Sequence, residues 1–201
     1  MTMTILPVAY LPSTEYFARL LRDECVIDIG EHFIKRSQRN RAYILTANGV
    51  MPLTVNVRNA NRPRTPVRDV RIDYSKRWQH LHSMAIRSAY AATPFYEHYA
   101  DALMPFYEKR YEFLTDYNLE LLSLLLRLAH ADRDLKVSDT YIEAAADDTD
   151  LRIKERESGF QSAPYFQSFS DRFDFVSGVS FIDLLFAEGP SATDVLARCR
   201  W

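Results

Sequence analysis

The stretch RAYILTANGVMPLTVNV, residues 41–57, restricts the fold of this chain more than any other part of it. Two runs rich in β-branched and aromatic residues flank Asn48-Gly49. That pair suits a tight turn because both central positions of a type I′ turn need positive φ. The spacing predicts a β-hairpin near 42–57 with Asn48-Gly49 at its tip. A two-stranded hairpin is marginal alone, so the rest of the chain has to cover one of its faces.

The flanking segments supply that cover. "TILPVAY" reads as a short strand that Pro7 confines to an edge or interrupts. "PSTEYFARLLRD" reads as a helix, with Ser13 or Thr14 as its cap and Tyr16, Leu20 and Leu21 on one face. "CVIDI" is a further strand. Residues 75–91 carry Trp78, His82, Ile86 and Tyr90 every four positions, a helical stripe that Thr93-Pro94 ends. A long helix is expected at about 106–129, with Leu114, Leu121, Leu125 and Leu128 as its seam. Residues 132–157 hold nine acids, five bases and few large apolar side chains, and read as irregular and mobile. "SFIDLLFAEG" and "SATDVLARCR" each open on Ser-x-x-Asp, a capping pattern, with Gly189-Pro190 between them. The order predicts an α+β fold, a mixed or antiparallel sheet packed against several helices, in one domain over 1–201. The first strand, helix and strand leave a short α/β sheet open as an alternative.

Charge narrows the partners. The formal net charge is −2, but residues 35–77 hold eleven cations and only two acids, so the remainder carries −11. The densest part is KRSQRNRAYIL, with Lys35, Arg36, Arg39 and Arg41 in seven residues. If this stretch is extended, Lys35, Ser37, Arg39 and Arg41 share one face. Arginine forks suit phosphate or carboxylate, and Asn40 adds a neutral donor and acceptor. One reading is therefore an anionic ligand, and the other is structural pairing with Glu31 and Asp28. Nucleic acid is disfavoured, since the basic segment lacks interleaved aromatics and the pI is about 6.2.

Other chemistry is thinly represented. No glycine-rich phosphate loop, dinucleotide fingerprint or nucleophile elbow is present, so ATP hydrolysis and nicotinamide redox chemistry lose weight. His32, His80, His82 and His98 show no zinc spacing, Cys25 and Cys199 stand apart, and no metal or cofactor is expected. No apolar run reaches the length of a membrane span and no secretory leader is recognisable, which favours a cytoplasmic protein. His82 is the candidate general base by residue type, or else a core histidine on its apolar stripe. Tyr10, Tyr16, Trp78, Tyr90 and Phe95 form either a ligand wall or core. Asn118 interrupts a leucine seam, as a cross-link between helices or a ligand contact. Asp183 reads first as a capping residue.

Four stretches in order resemble the WbqC-like protein family: AYLPSTEYFARLL, EHFIKRSQRNRAYIL with NGVMPLTVNV, the Trp78-x-x-x-His82 stretch continuing to AYAATPFYE, and FVSGVSFIDLLFAEGP. The most similar branch is that of Bacteroides-type bacteria. The Arg-Asn-Arg triplet and the closing motif are the specific parts. The resemblance implies a bacterial protein of surface-polysaccharide (O-antigen-type) biosynthesis. It would be a transferase acting on an anionic or nucleotide-linked amino sugar, through N-acyl or glycyl transfer. A non-catalytic partner in such an assembly is the alternative. Carried onto this chain, the pattern marks Tyr10, Tyr16, Glu31, Lys35, Arg39, Asn40, Arg41, Trp78, His82, Tyr90, Asp101, Asn118, Asp183 and Glu188. His82 would be the base, Glu31 would orient a cation or that base, and Lys35, Arg39 and Arg41 would hold oxygens of a phosphate-bearing ligand or acyl donor. The chain departs from the pattern at Pro7-Val8, at Ser83 and at Gly178-Val179.

Overall fold

The computed structural model describes residues 2–59, 62, 64–131, 133–153 and 159–201. Strand β1 (Thr4–Pro7), helix α1 (Thr14–Arg22) and strand β2 (Cys25–Asp28) open the chain. The hairpin follows as β3 (Arg41–Thr46) and β4 (Gly49–Thr54). Helices α2 (Trp78–Tyr90), α3 (Tyr96–Leu103) and α4 (Leu114–Leu128) come next, then short strands β5 (Val137–Ser138) and β6 (Thr149–Asp150). Helices α5 (Phe181–Glu188) and α6 (Ala192–Ala197) complete the order.

The fold mixes α and β as expected, with the strands in two groups. One is a sheet of order β5-β2-β1-β6 in which every pairing is parallel. The other is the antiparallel β3-β4 hairpin. The opening β-α-β unit is therefore a parallel crossover. All four residues of β1 are buried, the unbroken pattern of a strand covered on both faces. Pro7 is no edge device here. It is the last residue of a central strand, where the missing donor matters least.

Three boundaries differ from the sequence reading, each for a local reason. In the hairpin, Thr46 pairs with Gly49, so Ala47-Asn48 form the turn and only Gly49 has positive φ, at 95°. The register runs one-to-one into a two-residue turn, so the hairpin uses the same Asn-Gly pair one position out of phase, with Gly49 as the first residue of β4. The helix expected over 106–129 occupies Leu114–Leu128, after a 3-10 turn at Met104–Tyr107. Residues between them are drawn into other pairings: Phe113 bridges Arg71, and the Tyr111 N–H donates to the Tyr74 hydroxyl. The acidic stretch is not irregular throughout. Its described part supplies β5 and β6, and Gly30 lies so close to Thr140 that a Cβ would sit 2.4 Å from backbone. Asp132 and residues 154–157 of that expectation lie outside the described residues.

The core joins both groups. Leu6 and Ile27 from the parallel strands, Ile44 and Leu53 from the hairpin, Ile86 from α2, and Leu121 and Leu125 from α4 share one buried cluster. α5 is apolar nearly all round, with Phe181 through Phe186 buried, and is a core helix. It is stitched to the start of α1 by a Ser13–Ser180 bridge and by the Thr14 N–H donating to the Val179 carbonyl at 3.2 Å. No helix among the described residues is long and apolar enough to cross a membrane.

Candidate anion-binding cleft

Beyond the carboxyl ends of β1 and β6 the chain opens a cleft of about 400 Å³. In parallel sheets this edge is where ligands collect, because connecting loops diverge there. Five segments meet at it: residues 10–16 after β1, residues 36–39, the start of β3 at Arg41 to Tyr43, residues 151–153 after β6, and Gly178 with Ser180 before α5. Ser13 caps α1, accepting from the Tyr16 N–H, and Ser180 caps α5, accepting from the Ile182 N–H. Two helix N-termini thus abut the cleft, where their partial positive charge favours anions.

Two residues of its walls carry backbone strain. Leu11, buried, has φ of 40°, and Arg36 has φ of 58°. Non-glycine residues rarely adopt these values, and such strain clusters at functional sites. The Arg36 conformation is secured by Asn40, whose Oδ1 accepts from the Arg36 N–H at 3.0 Å and whose Nδ2 donates to the Val55 carbonyl at 3.0 Å.

That loop corrects the extended reading of residues 35–41. The segment is a series of turns, so its side chains do not alternate. Arg39 goes inward and is almost wholly buried, with its Nε donating to Glu31 Oε1 at 2.9 Å and its Nη2 also held by that carboxylate. Arg36 and Arg41 both line the cleft. Among the described residues neither has a carboxylate within ion-pair distance. Arg41 is aimed by one bond, Nε to Thr54 Oγ1 at 2.8 Å. Lys35 is exposed and outside the lining.

Arg152, also buried, has no sequence signal that marks it. It lines the cleft beside Arg39, donating to Asp150 Oδ1 at 2.9 Å and Oδ2 at 2.7 Å, and to Asp28. Three buried carboxylates, Asp28, Glu31 and Asp150, thus face two guanidiniums. Burial pushes the Glu31 carboxyl up to about 7, against the opposing bond and charge of Arg39, with Asp28 adding to the rise. Glu31 is paired with Arg39 and does not line the cleft. The carboxylate that does line it is Glu15, on the first turn of α1.

The remaining candidates are placed elsewhere or do other work. His82 is buried in an aromatic layer with Tyr10, Trp78 and Tyr107, and lies outside the cleft lining. Its Nδ1 lies 2.9 Å from the Tyr10 hydroxyl, which in turn lies 3.0 Å from that of Tyr107. Burial holds the imidazole down to about 4, against the pull of the Thr54 carbonyl. Trp78 is in the same layer, bonded from Nε1 to the Asp73 carbonyl at 3.1 Å. Tyr10 and Tyr16 do line the cleft, although the Tyr16 hydroxyl is used internally, donating to the Pro7 carbonyl at 3.0 Å. Tyr90 packs on Phe186 instead. Asn118 links α4 to the basic loop through Nδ2 and the Arg39 carbonyl at 2.8 Å. Asp183 is buried rather than capping, its Oδ1 accepting from Tyr165 at 2.8 Å and Gln167 at 3.0 Å. Cys25 is a buried thiol pushed up to about 12 by burial, unsuited to nucleophilic attack. Among the described residues no group of three or more His, Cys, Asp or Glu is placed to hold a metal ion.

The chain belongs to the WbqC-like protein family, whose model matches residues 8–159. It is 28% identical over 225 aligned positions to the uncharacterised protein Rv1507c of Mycobacterium tuberculosis, an alignment covering 95% of each chain. The similarity is thus not confined to a Bacteroides-type branch. No solved structure matches. The family match takes in the cleft residues of the β1 loop, the basic loop and β3, while Gly178 and Ser180 fall beyond it. Gly178 lines the cleft with φ of 79°.

Proposed function

We propose that this cleft binds a phosphate- or carboxylate-bearing small molecule, with Arg36 and Arg41 as its anion contacts. The observation that carries the reading is that, among the described residues, Arg36 and Arg41 line a concave site without a carboxylate in ion-pair distance, while Arg39 and Arg152 nearby are paired with buried carboxylates. Leaving two cations uncompensated beside two helix N-termini costs stability through repulsion, and a bound oxyanion offsets it. Arg39 and Arg152 hold the walls in place.

On this reading the protein is a group-transfer enzyme of cell-surface polysaccharide synthesis, acting on an anionic or nucleotide-linked amino sugar. Glu15 takes the role that residue type alone would give to His82. It accepts a proton from the attacking amine as the new bond to the transferred group forms and the donor's leaving group departs with its electron pair. Thermal shift against nucleotides, nucleotide-sugars, acyl-CoAs and simple anions tests the reading. Saturation at a hundredfold over Kd stabilises by about 2.7 kcal/mol, which for a chain of this size raises Tm by roughly 5–10 °C. The expected result is such a shift, abolished in Arg41→Ala. A panel without any shift, or a shift unchanged in Arg41→Ala, overturns it. A non-catalytic docking role is the second reading, favoured by the exposed Arg58, Arg62, Arg64 and Arg68 away from the cleft. Salt-sensitive binding of an acidic protein that ignores small anions supports it.

A further inference from the structure

We infer that Tyr43 is a stacking platform, and that the ligand of the cleft is a phosphate ester carrying a ring, that is, a nucleoside phosphate or sugar phosphate. The inference rests on the anion reading of the same cleft and names the substrate class within it.

Arg41 and Tyr43 are two residues apart on β3, so both side chains leave the same face of the strand, about 7 Å apart along it. Both line the cleft. Tyr43 is 42% exposed, although Ala42, Ile44 and Leu45 around it are buried. Many of the buried aromatic rings of this protein pack on one another. Tyr10, Trp78, Tyr107, Tyr111 and Tyr117 all have ring neighbours. Among the described residues Tyr43 has no ring neighbour and no hydrogen bond from its hydroxyl. Its backbone is nonetheless fixed. The Ser180 N–H donates to the Tyr43 carbonyl at 2.7 Å, and Tyr43 pairs with Pro52 across the hairpin. A bare, rigidly mounted ring loses little entropy on binding. Its face suits the π-surface of a base or the C–H face of a sugar. The spacing to Arg41 matches a ring separated from its phosphate by one ester linkage. A volume of about 400 Å³ also lies in the range of sites for whole small molecules, and exceeds what a simple anion needs.

Isothermal titration with inorganic pyrophosphate, uridine monophosphate, glucosamine 1-phosphate and UDP-N-acetylglucosamine tests this. At least one ring-bearing probe is expected to bind about tenfold or more tighter than pyrophosphate, the size of one base–aromatic stack. Tyr43→Thr, which keeps strand propensity, should weaken that probe about tenfold and change pyrophosphate affinity by less than about twofold. Tyr43→Phe should bind like the wild type. Preference for the uridine or the glucosamine probe tells which ring is stacked. Equal losses for pyrophosphate and ring-bearing probes make Tyr43 structural and overturn the inference. So does an unchanged Tyr43→Thr, and in that case the anion site stands. Absence of any binding by the wild type overturns both.

Discussion

The decisive residues do two kinds of work with one side-chain type. All four arginines line the cleft, but Arg39 and Arg152 are buried and ion-paired, whereas among the described residues Arg36 and Arg41 have no carboxylate in ion-pair distance. The split was only half legible in the sequence. RNR announced a concentration of charge, but which arginine turns inward depends on Glu31 lying beneath the loop and on the positive φ of Arg36. Arg36→Gly separates binding from folding. Glycine adopts that φ freely, so urea denaturation should show stability within about 1 kcal/mol of wild type, while anion affinity falls about tenfold or more. Loss of stability with affinity intact would mean that Arg36 is structural. His82 and Glu31 make a second test, because they titrate in one window with opposite sign. His82 is held near 4 in the fold against 6.5 in the free chain, so the unfolded chain takes the proton first and stability falls as pH drops through 6.5 towards 4. At full extent this is about 3 kcal/mol. Glu31 is raised to about 7 from 4.5, so the fold takes the proton first and stability rises as pH drops from 7 to 4.5. Between pH 6.5 and 4.5 the two offset each other. Urea midpoints against pH should therefore fall more steeply on acidification in Glu31→Gln than in wild type, and less steeply in His82→Gln. Parallel curves for all three would refute the opposition.

At the scale of elements, strands were legible by composition but not by partner. The hairpin declares itself locally, since its register is set by a turn within the same few residues. The parallel sheet does not, since β1 pairs with β6 more than 140 residues away and β6 is only Thr149–Asp150. An acidic stretch with few apolar side chains reads as irregular. Here it is anchored by charge, through Arg152 held between Asp150 and Asp28. Removing one partner of a buried ion network leaves the others uncompensated, at about 3–5 kcal/mol. Arg152→Ala should lose about that much in equilibrium unfolding and should also lose amide protection at residues 149–152. A loss below about 1 kcal/mol would show that β6 is held by its backbone pairing alone.

For the whole molecule, the cleft exists only because five segments spread over positions 10 to 180 converge. Four of them lie in sequence stretches that stood out: the turn before α1, the basic loop, the start of the hairpin and the Ser-x-x-Asp opening of α5. The contribution after β6 did not stand out, and neither did Tyr43 or Glu15, because nothing local distinguishes a cleft-facing tyrosine or first-turn glutamate from a solvated one. His82 stood out for its chemistry, and the fold placed it in an aromatic layer instead. The account therefore turns on where an anion settles. The most direct measurement is anomalous diffraction from crystals soaked in tungstate, a heavy tetrahedral oxyanion. The expected result is a peak between the Arg36 and Arg41 guanidiniums that disappears in Arg41→Ala. A peak confined to the surface around Arg58 and Arg62, or an empty cleft at saturating tungstate, would contradict it.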